Sequence, residues 1–515
     1  MGNLAASLHN VFSQIYSRTR GHNLKALCAR SSIALGLGAI AGQGARFIRN
    51  IILARILARE EFGLVAIAFA ATMVLDALAE VGVKQSVIQN KRGADPDYLN
   101  VAWWFQAARG LGLFAIGSLA APWISSFYEK PELLNLLRVS FVAILLRALA
   151  SPRAYVLEKE FKFGWAAFLT HGSAVVGTIV AVSLAFVVRN VWALVIGYVA
   201  EAAIFCLVSY IYVPFRPRFG LDRQCLWEVV RFARGMFGLP ILVAITFQID
   251  IAVLGKTVTS DQLGLYYMAV GLAQMPITAY STVIGPVLLP AFAQKQEDKK
   301  SLVSGVIRTT QWTALLTIPL VALLACCPSE ILSIAYGNKF IAATIPFGIL
   351  CLQVIARNES VILSTVYFAL GQPDLNRRFA ILRAAIIVGL IYPSIVLFGL
   401  AGAAGVVVLG NFVPLLFQAF WCRRIIDLKF GRYVRSYIPG LLSALPVILT
   451  AGLLKLLQIK SSAVILVVSG AVLAAIYAVY IRGILVSKFR TDSSPAGEQQ
   501  QGTSANLPAI ESENV

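Results

Sequence analysis

The 515-residue sequence predicts an all-α polytopic membrane protein of about 14 transmembrane helices: two six-helix lobes around a central cavity, plus two extra C-terminal helices. Three observations predict it: an apolar composition gathered into long runs, a one-sided distribution of Lys and Arg, and an internal repeat.

Hydrophobic residues make up 58% of the chain, charged residues 13%, and mean hydropathy is +0.77. A soluble chain of this length could not hide that much apolar surface in one core. Spanning helices of about 20 apolar residues can, because lipid surrounds them and each helix satisfies its own backbone. Candidate spans lie near 31–53, 63–88, 99–125, 133–153, 164–188, 191–213, 235–256, 264–292, 305–327, 341–370, 378–398, 401–422, 436–457 and 462–485. The loops between them are short.

The net charge of +19 follows the loops. One set carries Lys91 and Arg92, Arg153 with Lys159 and Lys162, a run from Arg216 to Arg234, Lys295 to Arg308, Arg377 with Arg378 and Arg383, and Arg423 to Arg435. With both termini this side holds roughly 29 basic residues against about 8 on the other, which predicts both termini in the cytoplasm. The charge then faces anionic headgroups. It does not form the single basic face of a nucleic-acid module, and no nucleic-acid partner is expected.

Residues 51–65, IILARILAREEFGLV, are echoed by residues 252–266, AVLGKTVTSDQLGLY. Leu53 matches Leu254, Gly63 matches Gly264, Leu64 matches Leu265, Arg55 matches Lys256 and Glu60 matches Asp261. The offset contains six spans, so the copies share one orientation, as in transporters built from parallel repeats. The expected organisation is a cytosolic segment 1–30, an N-lobe 31–213, a cytosolic connector 214–234 and a C-lobe 235–427. Two appended spans over 428–486 and a disordered polar tail 487–515 complete it. The first 30 residues place basic residues without an apolar core before them, which does not read as a cleavable signal peptide.

Several chemistries are absent from the sequence. The seven cysteines form no CxxC or metal-ligand spacing, and no metal site is expected. There is no GxxxxGK[ST], HExxH or serine-elbow motif, so neither an ATPase nor a hydrolase is expected. No catalytic residue or cofactor is assigned. Energy is expected from a proton or sodium gradient, or from supply and removal of substrate.

The run RFIRNIILARILAREEFGLVAIAFAATMVLDALAEVGVKQSVIQ resembles the first helix pair of bacterial polysaccharide exporters. These are the Wzx-type, WzxC-like repeat-unit flippases of the multidrug/oligosaccharidyl-lipid/polysaccharide superfamily. The run QIDIAVLGKTVTSDQLGLYYMAVGLAQMPITAYSTVIGPVLLPAFAQ resembles helices 7 and 8 of the same family, and the likeness covers roughly residues 31–427. It implies a V-shaped cavity between lobes. It also implies an undecaprenyl-diphosphate-linked oligosaccharide as substrate, moved from the cytoplasmic to the periplasmic leaflet of the inner membrane for exopolysaccharide or lipopolysaccharide synthesis. Membrane lipids, a polymerase and chain-length or export proteins are the partners this implies.

Charges inside spans are costly and usually face a bundle interior or water, so they are the candidate path. Arg46 shares a helix face with Gly38 and Gly42, small residues expected to open the lobe interface. Arg46, Arg49, Arg147 and Arg357 are the candidates for holding an anionic headgroup, because a guanidinium binds phosphate at two points. Arg49 fits snorkelling to the outer interface equally well. Asp76, Glu80 and Lys84 form a stripe at spacing four, with Glu80 and Lys84 as a favourable ion pair and Asp76 or Glu80 as proton carrier and partner of Arg46. Glu201 needs a cationic partner, and Asp250, at the repeat position of Arg49, is expected to pair with Arg49 as an outer gate. In the cluster ARNES, Arg357, Asn358 and Glu359 predict a cavity-facing or locally unwound helix, with Glu359 among the coupling or gating residues. His171 reads as packing.

Two other functions stay open at this point. A drug or cation antiporter of the same superfamily would favour carboxylates in its spans, whereas arginines outnumber acids here. A membrane glycan polymerase or ligase would carry a large outer loop, and the outer loops here are short.

Overall fold

A computed structural model describes residues 24–79, 82–160, 162–220, 222–236, 239–459 and 461–492. The described residues are overwhelmingly helical and contain no strand. That is the arrangement an apolar chain needs in lipid, since each helix pairs its backbone groups internally.

The first half contains α1 (Leu24–Ile56), α2 (Arg59–Ala79), α3 (Val83–Gln89), α4 (Pro96–Tyr128), α5 (Leu133–Ala148) and α6 (Arg153–Lys159). It continues with α7 (Phe163–Ala167), a π-helical turn (Phe168–Gly172), α8 (Ser173–Val188) and α9 (Trp192–Tyr212). The second half begins with α10 (Arg223–Met236), α11 (Leu239–Thr257), α12 (Ser260–Val283), α13 (Gly285–Ala293), α14 (Lys299–Cys326) and α15 (Pro328–Tyr336). A 3₁₀ turn (Asn338–Ala343), α16 (Thr344–Ala369), α17 (Pro373–Ile426), α18 (Phe430–Arg435), α19 (Ile438–Leu456) and α20 (Ser462–Asp492) follow.

Among the described residues, nine helices are long and apolar enough to cross a membrane, or eleven if each of two bent pairs counts as one span. One bend, of 61°, joins α5 to α6; the other, of 45°, joins α12 to α13. The 54-residue α17 is two helices meeting at Gly399, whose φ of 59° and ψ of −137° interrupt the helix. That break falls between the expected spans 378–398 and 401–422. Glycine tolerates a positive φ that a Cβ would oppose. Helix starts are fixed locally: Thr259 accepts a hydrogen bond from the Gln262 amide, and Asp298 accepts from the Lys300 and Ser301 amides.

Within the first half, α9 packs on α8 and α5, α4 on α5, and α1 on α8. Within the second, α17 packs on α16 and α11, α14 on α19 and α16, and α12 on α16. The halves meet chiefly where α2 packs on α12 and α11. There a single core crosses between them, with Leu53, Leu57, Phe62, Val65, Tyr266 and Phe340 all buried. Away from that junction the cores are separate: one around Ile362, Val366 and Phe379, another around Tyr98, Val101 and Val229. One shared core thus joins the two packed units, and each keeps a separate core of its own away from that junction. The segment expected as a connector contains the amphipathic α10, which seats Cys225 and Val229 on the first half and leaves Trp227 exposed.

Candidate functional site

A cavity of about 390 Å³ is lined by Arg46, Asp76, Arg109, Arg147, Glu201 and their neighbours on α1, α2, α4, α5 and α9. Its charges are paired between helices. Arg46 Nη2 donates to Glu201 Oε1 at 2.5 Å, and Arg147 Nη1 donates to Asp76 Oδ2 at 3.3 Å. The Glu201 side chain is 8% exposed and that of Arg46 31%, so the acid is the buried anchor and the cation faces the cavity. Removing one partner of such a pair strands the other charge, at about 3–5 kcal/mol. Arg147 also stacks on the Tyr198 ring at 5.3 Å.

These partners differ from those expected. Asp76 pairs with Arg147 rather than Arg46, and the cation that Glu201 needs is Arg46. Lys84 does not continue a stripe with Asp76: α2 ends at Ala79, Gly82 turns the chain at φ 82°, and Lys84 on α3 pairs with Glu158 at 2.8 Å. Glu80 lies outside the described residues. Gly38 and Gly42 do not open the lobe interface; they make room for the His171 ring, which the π-helical turn presents to α1. A Cβ on Gly42 would sit 2.7 Å from His171 Nδ1.

The ARNES segment is regular helix in α16, without local unwinding. Its four polar residues point to different neighbours, Ser360 Oγ donating to Gln418 Oε1 at 2.9 Å. Asn358 Nδ2 donates to Thr317 Oγ1 at 3.2 Å. Glu359, 1% exposed, accepts hydrogen bonds on Oε1 from the Thr310 hydroxyl at 2.6 Å and the Tyr433 hydroxyl at 2.8 Å. Among the described residues no cation lies within ion-pair distance of Glu359, so hydroxyls alone satisfy it. Arg357 stacks on Phe247 of α11 at 4.8 Å, and Arg383 of α17 lies 4.5 Å from the centre of the same ring.

The expected Arg49–Asp250 pair is not formed. Asp250 is turned toward α12, where Oδ2 accepts from the Tyr266 hydroxyl at 2.9 Å, while Oδ1 accepts from the Ile251 amide at 2.8 Å. Arg49 Nε reaches only Asn50 Oδ1, at 3.4 Å.

Bridges between the halves gather instead at the end of the shared core. Arg59 Nε pairs with Asp261 Oδ1 at 2.7 Å, and Arg55 donates to the Ile334 carbonyl at 2.8 Å. Lys256 pairs with Glu129 at 2.7 Å and holds that loop carboxyl below the usual carboxylate range. Arg55 and Lys256 are the matched cations of the sequence repeat, and each reaches into the opposite half. The matched glycines behave likewise. A Cβ on Gly63 would lie 2.0 Å from the Ser260 carbonyl oxygen, and one on Gly264 1.9 Å from that of Arg59. The helix starts of α2 and α12 therefore touch backbone to backbone, reciprocally, and seal this end.

Sequence reasoning missed Arg383 and Phe247. Arg383 was grouped with the loop cations Arg377 and Arg378, but its place about three turns inside α17 puts it in the bundle. The missed signal is its spacing: Arg383 is flanked by apolar residues on both sides, unlike Arg377 and Arg378 in the first turns of the helix.

Helices packed in two units, sealed together at one end around internal ion pairs, define the class as a polytopic membrane protein with a transporter fold. The sequence profile of the polysaccharide biosynthesis protein family matches residues 52–345, and the chain belongs to that family. It is similar to the succinoglycan biosynthesis transport protein ExoT of Rhizobium meliloti, at 26% identity over 60% of this chain and 63% of that one. It is also similar to the lipopolysaccharide biosynthesis protein WzxC of Escherichia coli, at 21% identity over 73% and 74% of the two chains. The solved structure of the lipid II flippase MurJ in an inward closed conformation shares the fold, with a TM-score of 0.70 and 13% identity over 88% of this chain and 99% of that one.

Proposed function

We propose that the protein is a flippase carrying an undecaprenyl-diphosphate-linked oligosaccharide from the cytoplasmic to the periplasmic leaflet of the inner membrane, for exopolysaccharide or lipopolysaccharide synthesis. The observation that carries this reading is the charged cavity inside the first half, where Arg46 and Arg147 meet Glu201 and Asp76 beneath the backbone contact at Gly63 and Gly264 that joins the halves. Family membership and the transport names of its relatives support the substrate class. The working unit is two six-helix lobes, 31–213 and 235–427, with 14 spans in all and both termini inside. On that orientation, which the basic loops support, the sealed end is periplasmic and the cleft receives substrate from the cytoplasm. Alternating access then consists of breaking the seal around Gly63 and Gly264 while the cytoplasmic ends close. Glu359 is the candidate coupling residue, since a carboxyl held only by hydroxyls can gain and lose a proton without breaking an ion pair. Polymerase and export proteins of the same pathway take the product.

The test is deletion with complementation. Loss of the gene should build up lipid-linked repeat units on the cytoplasmic leaflet and abolish the surface glycan. Normal glycan in a strain without a redundant exporter would overturn the proposal.

A further inference from the structure

We infer that the cavity between α14, α18 and α20 is a binding site for one anionic phospholipid of the surrounding membrane, held by its phosphate headgroup. On the orientation that the basic loops support, this lipid belongs to the cytoplasmic leaflet. The inference depends neither on the flippase reading nor on the charges inside the bundle. The cavity holds about 1040 Å³, at the upper end of the ~300–1,000 Å³ of small-molecule sites and far more than a free phosphate ion fills. Five cations line it: Lys299, Lys300 and Arg308 of α14, Lys429 at the start of α18, and Arg432 within α18. Spacing four puts Lys300, Ser304 and Arg308 on one face of α14, so the charges of that helix form a column.

The charge here is uncompensated. Arg92, Lys162 and Arg377, elsewhere in the basic loops, each pair with a carboxylate. At the cavity the one acid in the lining is Asp427, its side chain 83% exposed and 4.0 Å from Lys299. Among the described residues no carboxylate lies within ion-pair distance of Lys300, Arg308, Lys429 or Arg432, and all four are exposed. Charge alone would suit any anion; the rest of the lining selects an amphiphile. The face of α14 that carries Arg308 continues to Trp312 and Leu315, and Ile307 and Tyr480 complete the apolar floor. Trp312 is 40% exposed. It lies one turn from Arg308, so a phosphate on the guanidinium leaves its glycerol and acyl chains against the indole, about 6 Å deeper. A basic rim, then an indole, then aliphatic side chains reproduce the order of layers at the membrane boundary. The site also reaches toward the candidate coupling residue. Tyr433 is the one buried residue of α18, and its hydroxyl donates to Glu359 at 2.8 Å while accepting from the Tyr437 hydroxyl at 3.0 Å. A headgroup held by Lys429 and Arg432 therefore fixes the short helix that supplies Glu359 with a hydroxyl.

The experiment titrates the delipidated full chain in detergent with dioleoyl phosphatidylglycerol and reads the lipid retained per chain by native mass spectrometry. Dioleoyl phosphatidylcholine and glycerol 3-phosphate are the comparisons. One phosphatidylglycerol per chain should bind in preference to phosphatidylcholine, and glycerol 3-phosphate in excess should fail to displace it. Arg308→Gln and Arg432→Gln should each weaken that binding roughly fivefold, which is about 1 kcal/mol per basic residue at a headgroup. The double variant should weaken it roughly 25-fold. Arg378→Gln, exposed in the same set of loops but outside the cavity, should change nothing. Trp312→Ser leaves every cation in place and should also weaken retention, whereas Arg308→Lys should keep most of it; these two carry the test where a Gln variant fails to fold. Equal retention of phosphatidylcholine, displacement by glycerol 3-phosphate, or an equal loss in Arg378→Gln would overturn the assignment, in favour of an unselective lipid shell, a free-anion site or diffuse surface charge respectively. Each of those outcomes spares the flippase reading, whose own failure is read from the glycan of the deletion strain.

Discussion

Adding one methyl group at Gly264 should unseal the protein. A Cβ there would stand 1.9 Å from the Arg59 carbonyl oxygen, and side-chain carbons essentially never approach within 3.0 Å, so α2 and α12 would have to part by more than an ångström. The obstructing atom is backbone at the start of a helix, so no rotamer change relieves it. Overpacking of this kind costs about 1–3 kcal/mol. The cost falls only on the conformation in which the two helix starts touch, so it becomes a roughly 5- to 150-fold shift toward the unsealed form. Gly63→Ala should act in the same direction, because its Cβ would meet the Ser260 carbonyl at 2.0 Å. Gly271→Ala, on the same helix with open space around it, is the control. The assay is alkylation of Leu57→Cys, a position 1% exposed at the seal, in protein whose seven native cysteines have been replaced. A hydrophilic maleimide should label it faster in the Gly264→Ala background by a factor in that range. Unchanged labelling in a folded Gly264→Ala protein, or equal acceleration by Gly271→Ala, would refute the reasoning.

Two further outcomes follow from the buried charges. Arg46→Ala should destabilise the protein by about 3–5 kcal/mol by stranding the buried Glu201, whereas Arg46→Leu with Glu201→Leu should recover most of the lost stability without recovering transport; thermal unfolding and glycan export read the two effects separately. Glu359→Gln keeps an acceptor for the Thr310 and Tyr433 hydroxyls and should fold normally, yet transport in vesicles should lose its response to an imposed pH gradient; a full response would remove Glu359 from proton coupling.

What the sequence reveals here is whatever depends on local patterning. Apolar runs predict helices because the bilayer imposes one length and one hydrogen-bonding solution. The gap between two such runs at Gly399 marks a real break within the 54 residues of α17. The partners of charges are another matter. The helical spacing rule pointed to Glu80 and Lys84, four residues apart, but the helix ends between Asp76 and Lys84, and Lys84 finds Glu158 on another helix. Arg46 and Glu201 are 155 residues apart, and nothing in either neighbourhood encodes the other. Intramembrane pairs are set by how whole helices rotate against one another, a property of the packed bundle rather than of any segment.

The repeat carries more information than the individual charges because it constrains both copies at once. A lone glycine at a helix start has many explanations. Two glycines at matched positions, each excluding a Cβ by contact with the backbone of the other's helix, have one: the copies meet face to face across an approximate two-fold axis. The matched cations Arg55 and Lys256 cross that axis in opposite directions, which the same symmetry requires. Away from the seal the symmetry fails: Arg46 and Arg147 form ion pairs with Glu201 and Asp76, while Arg357 and Arg383 lie against one aromatic ring, with Arg383 in the electrostatic field of Asp250.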